Sequence, residues 1–220
     1  MSRKGILSIV SGFSGAGKGT VMKALLSKYD NYALSISATS RAPRVGEQEG
    51  REYFYKTVEQ FEEMIKNNEL IEYAQYVGNY YGTPKAYVEQ MLNEGKDVIL
   101  EIEIQGALKV KELVPDAIFI FILPPSMKEL KRRLITRGTD SMEKILSRFK
   151  TAYKEINEVT KYNYVVISDE VENAVLKVKS ILYAERCRVD RIEEVFLNNM
   201  EEEVHELLVE KELNNDVKEI

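Results

Sequence analysis

The chain has one cysteine, one histidine and no tryptophan in 220 residues, and each scarcity removes a class of chemistry. Cys187 alone cannot form an internal disulfide and does not make a structural zinc site. His205, the one imidazole, falls in a charged C-terminal stretch, so Ser-His-Asp or Cys-His nucleophilic sites and multi-histidine metal centres are not expected within one chain. The chemistry has to run on carboxylates, arginines, lysines, tyrosines and backbone. No run of ~18 apolar residues occurs, so no membrane span is expected. The opening Met1-Ser2-Arg3-Lys4-Gly5 leads into only a short apolar run, residues 6–11, too brief for a secretory signal. The cytoplasm is the expected compartment.

What is present is enough for a real core: 44% of residues are apolar and 30% charged, outside the range of disordered chains. The formal charge of −5 is unevenly spread. Residues 193–220 hold ten acids against Lys211 and Lys218, a net of −8, which leaves +3 on residues 1–192. A mildly basic body suits a phosphorylated small molecule. It is far from the pI above ~9 of a dedicated nucleic-acid domain, so neither nucleic acid nor membrane is expected as a partner.

Apolar periodicity predicts strands at 6–11, 32–37, 52–55, 70–77, 80–82, 98–104, 117–123 and 164–168. Between them, helical spacing runs through Val21, Ala24 and Leu25 and falls at 58–67, 107–113, 127–136 and from 141 onward. Gly78-Asn79 signals a hairpin. Thr83-Pro84 predicts a helix start with threonine as N-cap, and Gly95 its end. After Val171 the pattern is helical almost to the end. Strands alternating with helices predict an α/β fold, a parallel sheet covered on both faces. The stretch 37–92 reads as an insertion over the sheet's ligand edge.

The densest signal is Gly12-Phe13-Ser14-Gly15-Ala16-Gly17-Lys18-Gly19-Thr20, placed after a strand and opening a helix. Such a loop turns successive N–H groups inward as an anion nest at the positive end of a helix, and Lys18 adds a charge for the β- and γ-phosphates of a nucleotide. A dinucleotide fingerprint fails, because Thr20 stands where its third glycine belongs. Gly19 occupies the place where a Ser or Thr usually meets Mg²⁺. Thr20 is the next hydroxyl, with metal, phosphate or neither as its partner. Gly17-Lys18-Gly19-Thr20 also occurs in adenylate kinases, so the loop alone does not name the acceptor.

The acceptor is read from residues 35–106. Ser37-Ala38-Thr39-Ser40-Arg41-Ala42-Pro43-Arg44, Gly50-Arg51-Glu52-Tyr53-Phe54, Ile71-Glu72-Tyr73-Ala74, Tyr80-Tyr81-Gly82-Thr83 and Glu101-Ile102-Glu103-Ile104-Gln105-Gly106 resemble guanylate kinases of the bacterial type, within the P-loop nucleoside monophosphate kinases. The resemblance runs over residues 4–184 and implies a core with a GMP-binding insertion at about 37–92 and a mobile lid at about 131–152. Residues 185–220 remain as an acidic helical extension.

The implied activity is transfer of the γ-phosphoryl group of ATP to GMP, giving ADP and GDP, with Mg²⁺ accompanying ATP. It belongs to guanine nucleotide biosynthesis and recycling. The residue types suit this chemistry. Arg41, Arg44, Tyr53 and Tyr81 offer guanidinium forks and hydroxyls to a monophosphate dianion. Guanine shows N1–H and a 2-amino group side by side, and a carboxylate accepts both; adenine offers neither there. By the resemblance Glu72 is that carboxylate, with Ser37 and Thr83 on the base's other polar atoms. Glu101, at a parallel strand's end, joins the acceptor set. Arg133, Arg137 and Arg148 look like the lid cations that, with Lys18, carry catalysis. The rivals are another nucleoside monophosphate kinase and a guanylate-kinase-like binding module that has lost catalysis, against which the intact phosphate loop speaks. Val189, Ile192, Phe196, Met200, Val204 and Leu207 make one apolar helical stripe, expected to pack on the chain's own body or to form a frayed end rather than a partner site.

Overall fold

The computed structural model describes residues 4–76, 78–136, 141–191, 205 and 209. The expected positions Arg137 and Val77, and the apolar stripe from Ile192 to Leu207, lie outside them. The chain divides into two compact units, Met1–Ile181 and Leu182–Ile220.

Five strands of the first unit, β1 (Leu7–Gly12), β2 (Tyr32–Leu34), β7 (Asp97–Glu101), β8 (Ile118–Leu123) and β9 (Tyr164–Ile167), form one parallel sheet in the order β2-β7-β1-β8-β9. Parallel strands are covered on both faces, so they read as continuous apolar runs. In β8, Ile118-Phe119-Ile120-Phe121-Ile122 is buried throughout. The helices connecting the strands are α1 (Lys18–Lys28), α4 (Ile104–Leu113), α5 (Met127–Thr136) and α6 (Met142–Glu155), and α7 (Val171–Arg186) follows the last strand. Ser126 caps α5, its hydroxyl accepting the Glu129 N–H at 3.1 Å.

The insertion is a second sheet, of β3 (Ala38–Thr39), β4 (Phe54–Tyr55), β5 (Leu70–Tyr76) and β6 (Asn79–Pro84) in the order β4-β3-β6-β5, with α2 (Val58–Lys66) and α3 (Lys85–Asn93). Thr57 opens α2 with a complete capping box against Gln60. One face of this sheet packs Ala38, Phe54 and Leu70 with Phe61, Met64 and Ile65 of α2. The pairs Thr39↔Tyr55, Thr39↔Tyr81 and Ala74↔Tyr81 lie on the opposite face.

Four expectations are corrected. The run 32–37 is strand only over Tyr32–Leu34: β2 is the edge of the parallel sheet, and the chain leaves it at Ser35–Ser37 to enter β3 of the second sheet at Ala38. Thr83 is not a cap but a buried β6 residue whose hydroxyl is spent on Glu72, and α3 starts after Pro84 without a side-chain cap. The strand expected over 98–104 stops at Glu101, because Ile104 already begins α4; Ile102 and Ile104 fit either period. The helix after Val171 ends at Arg186, and a 3-10 turn follows at Val189–Arg191, with Glu185 paired to Arg188 and Arg191 at 3.3 and 3.1 Å. Val189 is exposed there.

Candidate functional site

The phosphate loop closes β1 and opens α1. Phe13 anchors it, buried and edge-on to Phe121 of β8 with ring centroids 5.4 Å apart. Gly12 passes so close to β8 that a Cβ would stand 2.2 Å from the Ile122 carbonyl oxygen. Gly17 precedes α1 at φ 99°, a left-handed conformation that disfavours other residues. The Lys18 ammonium reaches back across the loop to the Gly12 and Phe13 carbonyls at 2.6 and 3.4 Å. A cavity of about 690 Å³ opens here, lined by the loop together with Glu101, Glu103, Arg133, Ser168 and Asp169.

Two of the expected arginines touch this loop. Arg133 donates from Nη1 to the Ala16 carbonyl (3.1 Å) and the Ser168 hydroxyl (3.0 Å), from Nη2 to the Ser168 carbonyl (2.8 Å) and from Nε to Glu129 (2.8 Å). Hydrogen bonds from Arg132 and then Arg133 pull the Glu129 carboxyl down to about 2. Arg148 donates to Ser14 Oγ at 3.1 Å. Glu101, read as an acceptor-site residue, lies at this cavity: a Cβ on Gly19 would stand 3.7 Å from its Oε1. Burial raises its pKa, with Lys18 opposing and Glu103 adding. Burial likewise raises that of Glu155, with Glu103 adding and Lys18 opposing. Thr20 lines the cavity and is exposed in the first turn of α1.

The second cluster stands on the insertion. The pairing of β5 with β6 shifts between Leu70 and Tyr73, a bulge that re-aims the side chains within it. Ile71 and Glu72 lie there, and Glu72 is buried, its Oε1 accepting the Thr83 hydroxyl at 2.8 Å. Burial raises its pKa, opposed first by the Thr83 hydrogen bond and then by the charge of Lys109. Arg41 lies 5.4 Å over the Tyr53 ring and pairs with Glu47 at 3.0 Å. The Arg44 N–H (2.8 Å) and the Tyr55 hydroxyl (2.9 Å) also donate to Glu47. Tyr53 packs edge-on to Tyr81 at 6.0 Å. Arg44 is exposed, and Ser37 is half-buried, its carbonyl accepting from Phe54.

The structure thus gathers Gly12–Thr20, Arg133, Arg148 and Glu101 in one cluster and Arg41, Tyr53 and Tyr81 in another, with Glu72 and Thr83 joined on the same inserted sheet. The turn from β7 into α4 serves both: Glu101 and Glu103 line the phosphate-loop cavity, and Gly106, a few residues on, abuts Glu72. Sequence reasoning missed Glu47, Glu103 and Glu155. Glu103, two residues from Glu101 in the same motif, carried a signal; the others are ordinary polar residues until the fold places them.

A family profile described as guanylate kinase matches residues 4–185. A guanylate kinase of Clostridium perfringens is 58% identical over 207 residues, 94% of this chain and 96% of its own. One from Clostridium tetani is 57% identical over 205 residues, 93% of this chain and 98% of its own. The crystal structure of guanylate kinase from Anaplasma phagocytophilum aligns with a TM-score of 0.69 at 34% identity, covering 88% of this chain and 92% of that one. With the phosphate loop and the inserted sheet both in place, the chain belongs to the guanylate kinase family, enzymes that phosphorylate GMP with ATP to give GDP.

Proposed function

We propose that this chain transfers the γ-phosphoryl group of ATP to GMP, giving ADP and GDP, within the cytoplasm, and that the two clusters are its donor and acceptor sites. The observation that carries the acceptor is Glu72. It is a buried carboxylate with a neutral hydroxyl on one oxygen and, among the described residues, no cation within ion-pairing distance. A buried carboxylate so placed is costly unless donors meet it, and guanine's N1–H and 2-amino group are such donors. Ser37 addresses the base's remaining polar atoms, and Thr83, its proton given to Glu72, meets the base only as an acceptor. Arg41, Arg44, Tyr53 and Tyr81 take the phosphate.

The acceptor oxygen of GMP is anionic near neutral pH, so no general base is needed. It attacks the γ-phosphorus in line while the bond to the β–γ bridging oxygen breaks, and ADP leaves with the electron pair. The Gly12–Thr20 amides and Lys18 hold the triphosphate; Arg133, Arg137 and Arg148 neutralise the charge that spreads over the moving phosphoryl. Residues 131–152 act as the lid that keeps water from competing, residues 37–92 as the acceptor-binding insertion and residues 185–220 as a separate extension.

The cavity suits Mg²⁺ brought in with ATP. Its donors near Lys18 are hard oxygens, those of Thr20, Glu101 and Glu103. One or two of these groups would hold the cation together with the substrate phosphates. When bound, it would supply charge neutralisation at the phosphates of ATP.

ADP release measured with GMP, AMP, CMP, UMP and dTMP as acceptors tests the reading. Turnover confined to GMP and its close guanine analogues is expected; preference for another monophosphate, or none with any, overturns it.

A further inference from the structure

The second oxygen of Glu72 rests against a glycine that its own backbone does not require. Gly106 sits in the first turn of α4 with helical φ, where alanine is worth up to ~1 kcal/mol more than glycine. Space is the constraint. A Cβ on Gly106 would stand 3.1 Å from Glu72 Oε2, 3.8 Å from its Cδ and 3.7 Å from Ile102 Cδ1. The first distance is shorter than ordinary van der Waals contact, so the carboxylate would have to give way.

Its freedom to do so is small. Oε1 is held by the Thr83 hydroxyl at 2.8 Å. The Glu72 main chain is pressed against β6, where a Cβ on Gly82 would come within 2.7 Å of the Glu72 carbonyl oxygen. The carboxylate can only tilt about its Thr83 bond. We infer that Gly106 is a specificity-determining position: its missing side chain is the seat of Glu72 Oε2, and it fixes the carboxylate plane so that both oxygens meet the adjacent donors of guanine together. The inference rests on the reading of Glu72 given above. Lys109, one turn further along α4 and 6.0 Å over the Tyr73 ring, also acts on Glu72, so α4 is the wall that holds this group.

The consequence is selective. Guanine makes two hydrogen bonds to an aligned carboxylate, whereas hypoxanthine, lacking the 2-amino group, makes one. Tilting the carboxylate therefore costs GMP more than IMP.

In the full-length Gly106→Ala variant the KM for GMP is expected to rise about tenfold, the loss of one hydrogen bond to a charged group. The ratio of kcat/KM for GMP over IMP should fall by a similar factor, while the KM for ATP, kcat at saturating GMP and the melting temperature hold. A merely structural role would lower the melting temperature and weaken both nucleotides alike, and that result overturns the inference. Shortening the carboxylate withdraws it from the new methyl, so adding Gly106→Ala to Glu72→Asp should cost less than twofold in GMP KM; full additivity overturns the inference too. If Glu72→Gln weakens GMP binding but Gly106→Ala does not, the role of Gly106 fails alone. If Glu72→Gln leaves GMP binding unchanged, the reading of the acceptor site fails with it.

Discussion

Arg133 and Ser168 are joined twice: Nη1 donates to the serine hydroxyl at 3.0 Å and Nη2 to its carbonyl at 2.8 Å. The same hydroxyl lies 2.5 Å from the Ala16 carbonyl and 3.1 Å from that of Leu123. Ser168 is therefore where the end of β9, the crest of the phosphate loop and the α5 arginine meet. Fixing a guanidinium with protein acceptors aims it before charge develops, which is the inexpensive way to stabilise a transition state.

Removing that hydroxyl should loosen the aim without touching the acceptor. For Ser168→Ala we expect kcat to fall about tenfold, the worth of one hydrogen bond to a charged group. The KM for GMP should stay within twofold. Steady-state ADP release at saturating GMP measures the first quantity, and calorimetric titration with GMP the second. An unchanged kcat would show that Arg133 is aimed adequately by Ala16 and Glu129.

Lys18 separates the two sites more sharply. Its ammonium belongs to the phosphate loop, with the Gly12 carbonyl at 2.6 Å, whereas the guanine reading rests on Glu72 and the insertion. Lys18→Met should lower turnover by about a thousandfold or more, the scale of a lost charge on the transferring phosphoryl, and leave GMP binding intact. Loss of GMP affinity with transfer preserved would contradict the division of labour.

Gly82 bears on the fold. A Cβ there would meet the Glu72 carbonyl oxygen at 2.7 Å, Tyr73 Cβ at 3.0 Å and Phe61 Cζ at 3.1 Å. The first two are backbone or close to it and cannot swing aside. Gly82→Ala should therefore destabilise the chain by about 1–3 kcal/mol, read as a lower denaturation midpoint with an unchanged slope in urea. A variant as stable as the parent would mean that the β5–β6 bulge relaxes freely.

The parallel sheet was legible because buried parallel strands leave continuous apolar runs such as Ile118–Leu123, and the phosphate loop because its glycines and Lys18 sit between a strand and a helix. Glu72, Arg41 and Tyr81 were legible through the resemblance. What sequence could not supply is contact between elements far apart in the chain. Ser168 meets Ala16 across 152 residues. Gly106 looks like a weak spot in a helix until Glu72 Oε2 is placed beside it. Thr83 before a proline satisfies every local rule for a cap, and it is tertiary pairing with Glu72 that claims its hydroxyl instead.

Glu72 also sets a pH dependence. Burial raises its pKa above the ordinary 4.5, while guanine's donors are met only by the ionised form. GMP affinity should therefore weaken as pH falls toward that raised pKa, starting above the range of an ordinary carboxylate. The GMP phosphate titrates near pH 6 as well, so the comparison is with Glu72→Gln. In that variant GMP binding is about ten- to a hundredfold weaker at neutral pH, because an amide places a donor where acceptors are needed, and only the phosphate's titration remains.

Stability without nucleotide runs the other way. The folded chain holds the Glu72 proton more tightly than the unfolded chain, so this stabilisation is full below pH 4.5 and is lost as pH rises through the folded pKa. The melting temperature of Glu72→Gln relative to the parent should accordingly increase between pH 4.5 and pH 7. Parallel melting curves across that range would show that Glu72 titrates as an exposed carboxylate does.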